Sequence, residues 1–207
     1  MVYPSDDVTV QSKSNEMNSI VVFCGSSSGT DPAYSQVAAT VGQTLATRNI
    51  RLVYGGAQVG LMGSVAEACL SASGYVIGVI PRFLARKEIV HGGLSELVYT
   101  ETMHERKAQM SQLSEGCIAL PGGYGTLEEL FELLTDAQLA KYSYPIGLLN
   151  VEGYYDKLLA FLDDCVANGL LRAENKDMLL VDTEIDGLLD QMVAFVPAPV
   201  PKWLQGD

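Results

Sequence analysis

Residues 117–130 read CIALPGGYGTLEEL, which is a short apolar run, a turn rich in glycine and the start of a helical pattern. A buried strand that turns through glycines into a helix is the repeating unit of parallel sheets covered by helices. Two further glycine-rich turns follow apolar runs, GSSSG at 25–29 and GGAQVG at 55–60. The sequence therefore predicts an α/β fold, with a mostly parallel sheet and helices on both faces.

Apolar, β-branched runs predict the strands, and helical patterns lie between most of them. The predicted strands are 20–24, 50–54, 75–80, 97–100, 117–120, 146–149 and 178–181. The polar stretch 1–18 and the Pro-rich stretch 197–207 have no such periodicity. We expect one domain over 19–196, with an N-terminal extension and a C-terminal tail outside its core.

The composition limits the class of protein. With 207 residues, 48% of them hydrophobic, the chain is long enough to bury one sizeable core. It has neither an apolar run of membrane-spanning length nor the pattern of a secretory signal, so we expect a cytoplasmic protein. The four cysteines lack CxxC spacing, which favours buried thiols over disulfides or a zinc site.

The net charge of −12 disfavours general nucleic-acid binding, which depends on clustered Lys and Arg. The local distribution of charge is different, since five of the 13 basic residues and both histidines fall between positions 82 and 107. This segment is either a place where an anionic ligand binds or a solvated basic stretch, and charge patterning leaves both open. The basic residues are Arg82, Arg86, Lys87, Arg106 and Lys107.

The glycine turns are the candidate site, because ligands of open parallel sheets bind beyond the carboxyl ends of the strands. Gly122, Gly123 and Gly125 leave backbone amides free to approach an anion, and a helix starting at about Thr126 would add its positive dipole end. Ser26, in the first turn, and the Gly55-Gly56 turn are candidates for the other walls. Glycines also end strands for purely structural reasons.

Two charged residues are candidates for chemistry, and each has a structural alternative. Glu129 follows Thr126 by three positions, so the pair also fits a capping box; otherwise its carboxylate faces a ribose or an attacking water. Arg106 lies near the start of the helix that follows the fourth strand, on the same sheet edge. Its guanidinium suits a phosphate or the orientation of a carboxylate, unless it is only an exposed helical cation.

Several common chemistries lack their residues. The first turn is not G-x-G-x-x-G, and Tyr-Gly-Gly stands where a dinucleotide binder has an acidic residue, which argues against NAD. The chain has neither GxxxxGK[ST] nor GxSxG, and its two histidines, thirteen positions apart, form no recognisable metal motif.

Two segments resemble the motifs of one family. PGGYGTLEE at 121–129 fits the PGGxGTxxE motif of the LONELY GUY (LOG) family of cytokinin riboside 5′-monophosphate phosphoribohydrolases, and MHERKAQM at 103–110 resembles its MHxRKxxM segment. The similarity covers roughly 19–196. One departure is visible, because the family commonly has three glycines where this chain has Gly55, Gly56 and Ala57.

The resemblance implies a Rossmann-like fold and hydrolysis of the N-glycosidic bond of an N6-substituted AMP, without a cofactor or metal. It makes Arg106 and Glu129 the catalytic pair. By analogy with glycoside cleavage, we expect Glu129 to act on an oxocarbenium-like transition state or on the attacking water. It also implies a homodimer or a larger homo-oligomer. The phosphate cradle would be Gly122, Gly123, Gly125 and Thr126, and the remaining wall Lys107, Glu88, Gly55 and Gly56.

Three other functions are alternatives to this one. The motifs address phosphate and ribose, so a general AMP or nucleoside 5′-monophosphate nucleosidase is the first. A non-catalytic nucleotide or cofactor carrier that uses the same sheet edge is the second. Relatives labelled lysine decarboxylases suggest the third, but the sequence has no recognisable lysine environment for pyridoxal phosphate.

Overall fold

The computed structural model describes residues 17–85 and 90–197, and its centre is one sheet of seven parallel strands. Neighbouring strands are all parallel, in the order β4-β3-β2-β1-β5-β6-β7. The predicted α/β class is confirmed. The strands are β1 Ser19–Phe23, β2 Arg51–Tyr54, β3 Val76–Pro81, β4 Glu96–Thr100, β5 Cys117–Ala119, β6 Ile146–Leu149 and β7 Leu179–Asp182.

Helices connect the strands and cover both faces of the sheet. None of the helices in the described ranges is long and apolar enough to cross a membrane. The helices are α1 Pro32–Thr47, α2 Gly60–Ser71, α3 Arg82–Ala85, α4 Met103–Gln112, α5 Tyr124–Gln138, α6 Asp156–Ala167, α7 Ala173–Lys176 and α8 Ile185–Ala194, with a 3₁₀ turn at Val151–Gly153.

The central strand β1 shows why the strands are almost continuously apolar. All five of its residues are buried, and successive side chains point to opposite faces of the sheet. Ile20 and Val22 pack in the core formed with α1, α2 and α8, whereas Val21 and Phe23 pack in the core formed with α4, α5 and α6. The buried thiols of Cys24, Cys69 and Cys117 lie in these two cores, as expected, and Cys165 is half-buried.

The strand order reverses between β1 and β5, and this switch point positions the site. From β1 the chain proceeds to β2 on one side, whereas from β5 it proceeds to β6 on the other. The loops that follow β1 and β5 therefore diverge and leave a crevice at the carboxyl edge. The floor of the crevice is joined by one backbone bond, in which Gly25 N–H donates to the Pro121 carbonyl at 3.0 Å.

Candidate active site

The glycine turn after β5 leads directly into α5 and leaves the start of this helix open. Gly123 is the N-cap residue, and no side chain caps the helix there. The first N–H groups of a helix have no intrahelical acceptors. A Cβ built on Gly123 or Gly125 would meet no atom of the described chain within 4 Å. An anion therefore has free access to this positive end of the helix.

The helix starts two residues before the predicted start at about Thr126, and the alternative of a capping box does not hold. Helix α5 begins at Tyr124, so Thr126 lies inside the first turn and Glu129 lies in the second. Thr126 is buried with its hydroxyl against the turn, and a Cβ on Gly122 would lie only 2.1 Å from the Thr126 Oγ1. Gly122 is thus required for close packing, and the Glu129 carboxylate is not used as a cap.

Arg106 and Glu129 meet across the gap between α4 and α5. Arg106 Nε donates to the Val79 carbonyl of β3 at 3.1 Å, and its Nη1 lies 3.4 Å from Glu129 Oε1. The two side chains are only 12% and 11% exposed. Thr102 caps the start of α4 by accepting from Glu105 N–H at 3.1 Å, which fixes the first turn of the helix that carries Arg106.

The Gly55-Gly56 turn forms the wall behind the Arg106 guanidinium. A Cβ on Gly55 would lie 2.3 Å from Arg106 Nη2, so any side chain there would occupy the position of the guanidinium. Gly56 has a φ of +80°, which favours glycine, and its carbonyl accepts from His91 N–H at 3.0 Å. The side chain of His91 is buried, with Nε2 3.0 Å from a Glu67 carboxylate oxygen. His91 therefore supports this wall.

The remaining predicted site residues lie in different places. The Lys107 ammonium contacts Glu128 and lies 2.9 Å from Glu132 Oε2, so it ties α4 to α5 and does not face the glycine turn. Ser26 is exposed in the loop after β1, where its backbone packs so closely against Gly60 that a Cβ there would lie 2.3 Å away. Arg86, Lys87 and Glu88 lie outside the described residues.

The environment of Glu129 changes its acidity. Burial raises the pKa of its carboxyl to about 7; the positive charges of Arg106 and Lys107 act against this, and the negative charges of Glu128 and Glu132 add to it. A carboxyl with such a pKa is present in both protonation states near neutral pH. Glu129 can therefore accept or release a proton under physiological conditions.

A cavity lies next to this carboxylate, between α4 and α5 and above Phe23 of β1. Its volume is about 240 Å³. Its walls combine polar and apolar groups, and the polar side chains include Lys107, Ser111, Gln112, Glu132 and Asp136 as well as Glu129. The Glu129 carboxylate is thus accessible from this cavity.

Two tyrosines that the sequence did not single out contact the glycine turn of the candidate site. Tyr154 and Tyr155 follow β6, and their hydroxyls donate to the carbonyls of Gly122 and Leu120 at 2.8 and 2.7 Å. The only signal in the sequence is that they follow a strand whose carboxyl end lies at the same sheet edge. A hydrogen bond to a backbone carbonyl has no sequence pattern of its own.

Comparison with known proteins gives both sequence and fold relatives. Residues 62–192 match the model of a family described as possible lysine decarboxylase. Over 178 residues the chain is 46% identical to LOGL9 of Oryza sativa subsp. japonica, a probable cytokinin riboside 5′-monophosphate phosphoribohydrolase, covering 86% of this chain and 78% of that protein. Identity and coverage are the same for LOG5 of Arabidopsis thaliana, a cytokinin riboside 5′-monophosphate phosphoribohydrolase.

Solved structures with the same fold are more distant in sequence. The molybdenum cofactor carrier protein of Chlamydomonas reinhardtii superposes with a TM-score of 0.64 at 19% identity, covering 86% of this chain and 99% of that chain. The molybdenum cofactor binding protein of Rippkaea orientalis gives 0.65 at 21% identity, covering 86% and 96%. At this identity the likeness concerns the fold alone.

Proposed function

The chain belongs to the family of LOG cytokinin riboside 5′-monophosphate phosphoribohydrolases, and we propose that it hydrolyses N6-substituted AMP to a free cytokinin base and ribose 5-phosphate. The observation that carries this proposal is the buried Arg106–Glu129 pair beside the open start of α5. The Arg106–Glu129 pair suits chemistry at a glycosidic carbon, and the open start of α5 suits the binding of a phosphate.

The phosphate of the substrate lies at the N-terminus of α5. The N–H groups of Gly123, Gly125 and their neighbours donate to its oxygens, and the helix dipole adds to the attraction. Glu129 lies five residues after Tyr124, or about 7.5 Å along the helix axis. Because helical side chains tilt toward the N-terminus, the Glu129 carboxylate reaches back toward the ribose of a nucleotide whose phosphate is bound there.

Hydrolysis breaks the bond between the anomeric carbon and the base nitrogen and forms a bond from that carbon to a water oxygen. The base leaves with the bonding electron pair and takes up a proton. The ionised Glu129 carboxylate stabilises the positive charge on the ribose and accepts a proton from the attacking water. Arg106 holds that carboxylate in place and keeps a fraction of it ionised.

The test is chromatography of the products formed from N6-isopentenyl-AMP, AMP and N6-isopentenyladenosine, with Glu129→Gln as the control. We expect free isopentenyladenine from the monophosphate and none from the nucleoside. Equal or faster release of adenine from AMP would instead assign a general nucleoside 5′-monophosphate nucleosidase. Tight binding with no base release from any substrate would assign a carrier.

The description of the matching family suggests a lysine decarboxylase, and the geometry of Lys107 speaks against this chemistry. A Schiff base with pyridoxal phosphate requires a neutral amine. Although burial lowers the pKa of the Lys107 ammonium, its hydrogen bonds to Glu128 and Glu132 outweigh this effect and raise the pKa. A pyridoxal phosphate absorbance band on the purified protein would contradict this view.

We further infer a cytoplasmic homodimer or larger homo-oligomer that does not bind nucleic acid. The resemblance to LOG proteins supports the oligomer. The net charge of −12 supports the absence of nucleic-acid binding. The domain bounds 19–196 likewise stay a prediction. Light scattering coupled to size exclusion measures the oligomeric state, and a mass equal to one chain would contradict the assembly.

A further inference from the structure

Three consecutive carbonyls at the start of the glycine turn each accept a hydrogen bond from another element. Leu120 O accepts from the Tyr155 hydroxyl at 2.7 Å, Pro121 O from Gly25 N–H at 3.0 Å, and Gly122 O from the Tyr154 hydroxyl at 2.8 Å. The first two donors are a buried side chain and a backbone group of the sheet edge, but the third is a half-exposed tyrosine. Packing of the core therefore does not explain the hydrogen bond from Tyr154 to Gly122.

The segment that carries Tyr154 is held firmly. Asn150 accepts from Tyr155 N–H at 2.8 Å and donates to an Asp156 carboxylate oxygen at 2.7 Å. The Tyr154 ring makes edge-to-face contacts with Tyr34 and Tyr155, at centroid distances of 5.5 and 4.8 Å. The hydroxyl is thus presented to Gly122 by a fixed scaffold and not by a freely rotating side chain.

The bond from Tyr154 controls the direction of one peptide unit. In the peptide that joins Gly122 to Gly123, the carbonyl and the N–H point in opposite directions because the peptide is planar and trans. Holding the carbonyl against Tyr154 therefore directs the Gly123 N–H away from Tyr154. A flip of this peptide would rotate φ of Gly123 from −97° to a positive value, which glycine tolerates. A flipped peptide would present a carbonyl oxygen where the N–H stands.

We propose that Tyr154 is a positioning residue for phosphate binding, whose hydroxyl locks the Gly122–Gly123 peptide with its N–H toward the phosphate of the substrate. This role rests on the proposed function, because it takes the start of α5 as the phosphate site. It makes the segment after β6 a contributor to the site, through the contact of the Tyr154 hydroxyl with the backbone of Gly122. A carbonyl oxygen facing a phosphate would repel it, so the lock acts on the binding of the monophosphate and not on the bond-breaking step.

The test compares Tyr154→Phe, which keeps the ring contacts, with the matched control Tyr144→Phe. Tyr144 is as exposed as Tyr154 and also makes an edge-to-face contact, with Tyr142, but it lies away from the turn. We expect Tyr154→Phe to raise the Kd for AMP and the KM for N6-isopentenyl-AMP by about 5-fold, the effect of one neutral hydrogen bond, with kcat within 2-fold. The binding of N6-isopentenyladenosine, which has no phosphate, should not change.

A double-mutant cycle with Gly123→Ala tests the peptide orientation itself. Alanine disfavours the positive φ of the flipped state, so the effect of Tyr154→Phe should be smaller when it is combined with Gly123→Ala than when it is made alone. Any direct effect of the added methyl group on AMP binding cancels in the cycle. If Tyr154→Phe reduces AMP affinity equally with and without Gly123→Ala, the proposed control of the peptide orientation is wrong.

The outcomes also separate this inference from the proposed function. If the wild-type protein releases base and Tyr154→Phe binds AMP as tightly as the wild type, the inference is wrong and the proposed function stands. If the wild-type protein neither binds AMP nor releases base from the monophosphate, the proposed function fails, and the role of Tyr154 fails with it.

Discussion

Replacing Gly55 by alanine perturbs the position of the Arg106 guanidinium and little else. The added Cβ would lie 2.3 Å from Arg106 Nη2 and 3.0 Å from Met62 Sδ. Ordinary contacts of a Cβ begin at 3.4 Å, so the guanidinium must move by about 1 Å. The backbone of Gly55 has no positive φ, so alanine causes no backbone strain there.

The two consequences of this substitution differ in size. The atoms that must move are the ends of flexible side chains, so we expect the free energy of unfolding to fall by about 1 kcal/mol. A displacement of about 1 Å in a catalytic group can reduce the rate by about 100-fold. We therefore expect kcat/KM for N6-isopentenyl-AMP to fall by about 100-fold, or about 2.7 kcal/mol of transition-state stabilisation.

Steady-state kinetics and thermal unfolding measure these two effects side by side. Gly92→Ala is the matched control, because Gly92 is exposed and a Cβ there would meet no described atom within 4 Å. Its kinetics and melting temperature should equal those of the wild type. If Gly55→Ala keeps kcat/KM within about 3-fold of the wild type, the placement of Arg106 against this turn does not matter for turnover, and the assigned role is wrong.

Four further predictions concern the charge on Glu129. Glu129→Gln should abolish turnover but retain AMP binding, measured by calorimetry; residual turnover above about 1% would contradict its role. Because burial raises the pKa of Glu129 to about 7, kcat/KM should rise with pH through an inflection near 7, and a flat profile would be inconsistent with this. The same shift makes the native state hold a proton that the unfolded chain releases at lower pH. The stability that this gives is therefore present in acid and is lost as the pH rises through 7, so Glu129→Gln should gain up to about 3 kcal/mol over the wild type between pH 5 and pH 8, measured by denaturant unfolding. Finally, Lys107→Met removes a charge that lowers the pKa of Glu129, so the inflection should move to higher pH, whereas Lys157→Met on the exposed side of α6 should leave it in place.

The sheet could be predicted from the sequence because its inner strands are buried on both faces. Each strand is centred on an apolar run, and no predicted bound differs from the observed one by more than one residue. The strand order was not accessible in this way, since it depends on which runs pair across long connections. The sequence did predict that the glycine turns converge at one edge of the sheet, because parallel strands place their carboxyl ends together.

The start of helix α5 could not be predicted, although a Thr-x-x-Glu capping pattern is visible in the sequence there. Thr-x-x-Glu occurs at 102–105 and at 126–129, and only Thr102 acts as a cap. At the second position the glycines allow the chain to enter the helix at Tyr124, and Thr126 is then packed against Gly122. The difference lies in tertiary packing, which a local pattern does not contain.

The location of Lys107 follows from helix geometry. Neighbouring residues of a helix point about 100° apart, so Lys107 cannot face the same point as Arg106. Arg106 reaches β3 and Glu129, and Lys107 reaches the outer carboxylates of α5. The sequence analysis therefore assigned two adjacent cations to one site, whereas the fold directs them to different partners.

The loose contact between Arg106 and Glu129 is consistent with catalysis. A carboxylate held in a short, two-pronged pair with arginine has its pKa lowered by about 1–3 units and is a weak base. Here one guanidinium nitrogen lies 3.4 Å away, and the Nε of the same group is directed to the Val79 carbonyl. The residual attraction offsets only part of the desolvation of Glu129, which leaves its pKa near 7. The Val79 bond and the Gly55 wall hold the Arg106 guanidinium at this distance, where the pKa of Glu129 stays near neutrality and the carboxyl can exchange a proton.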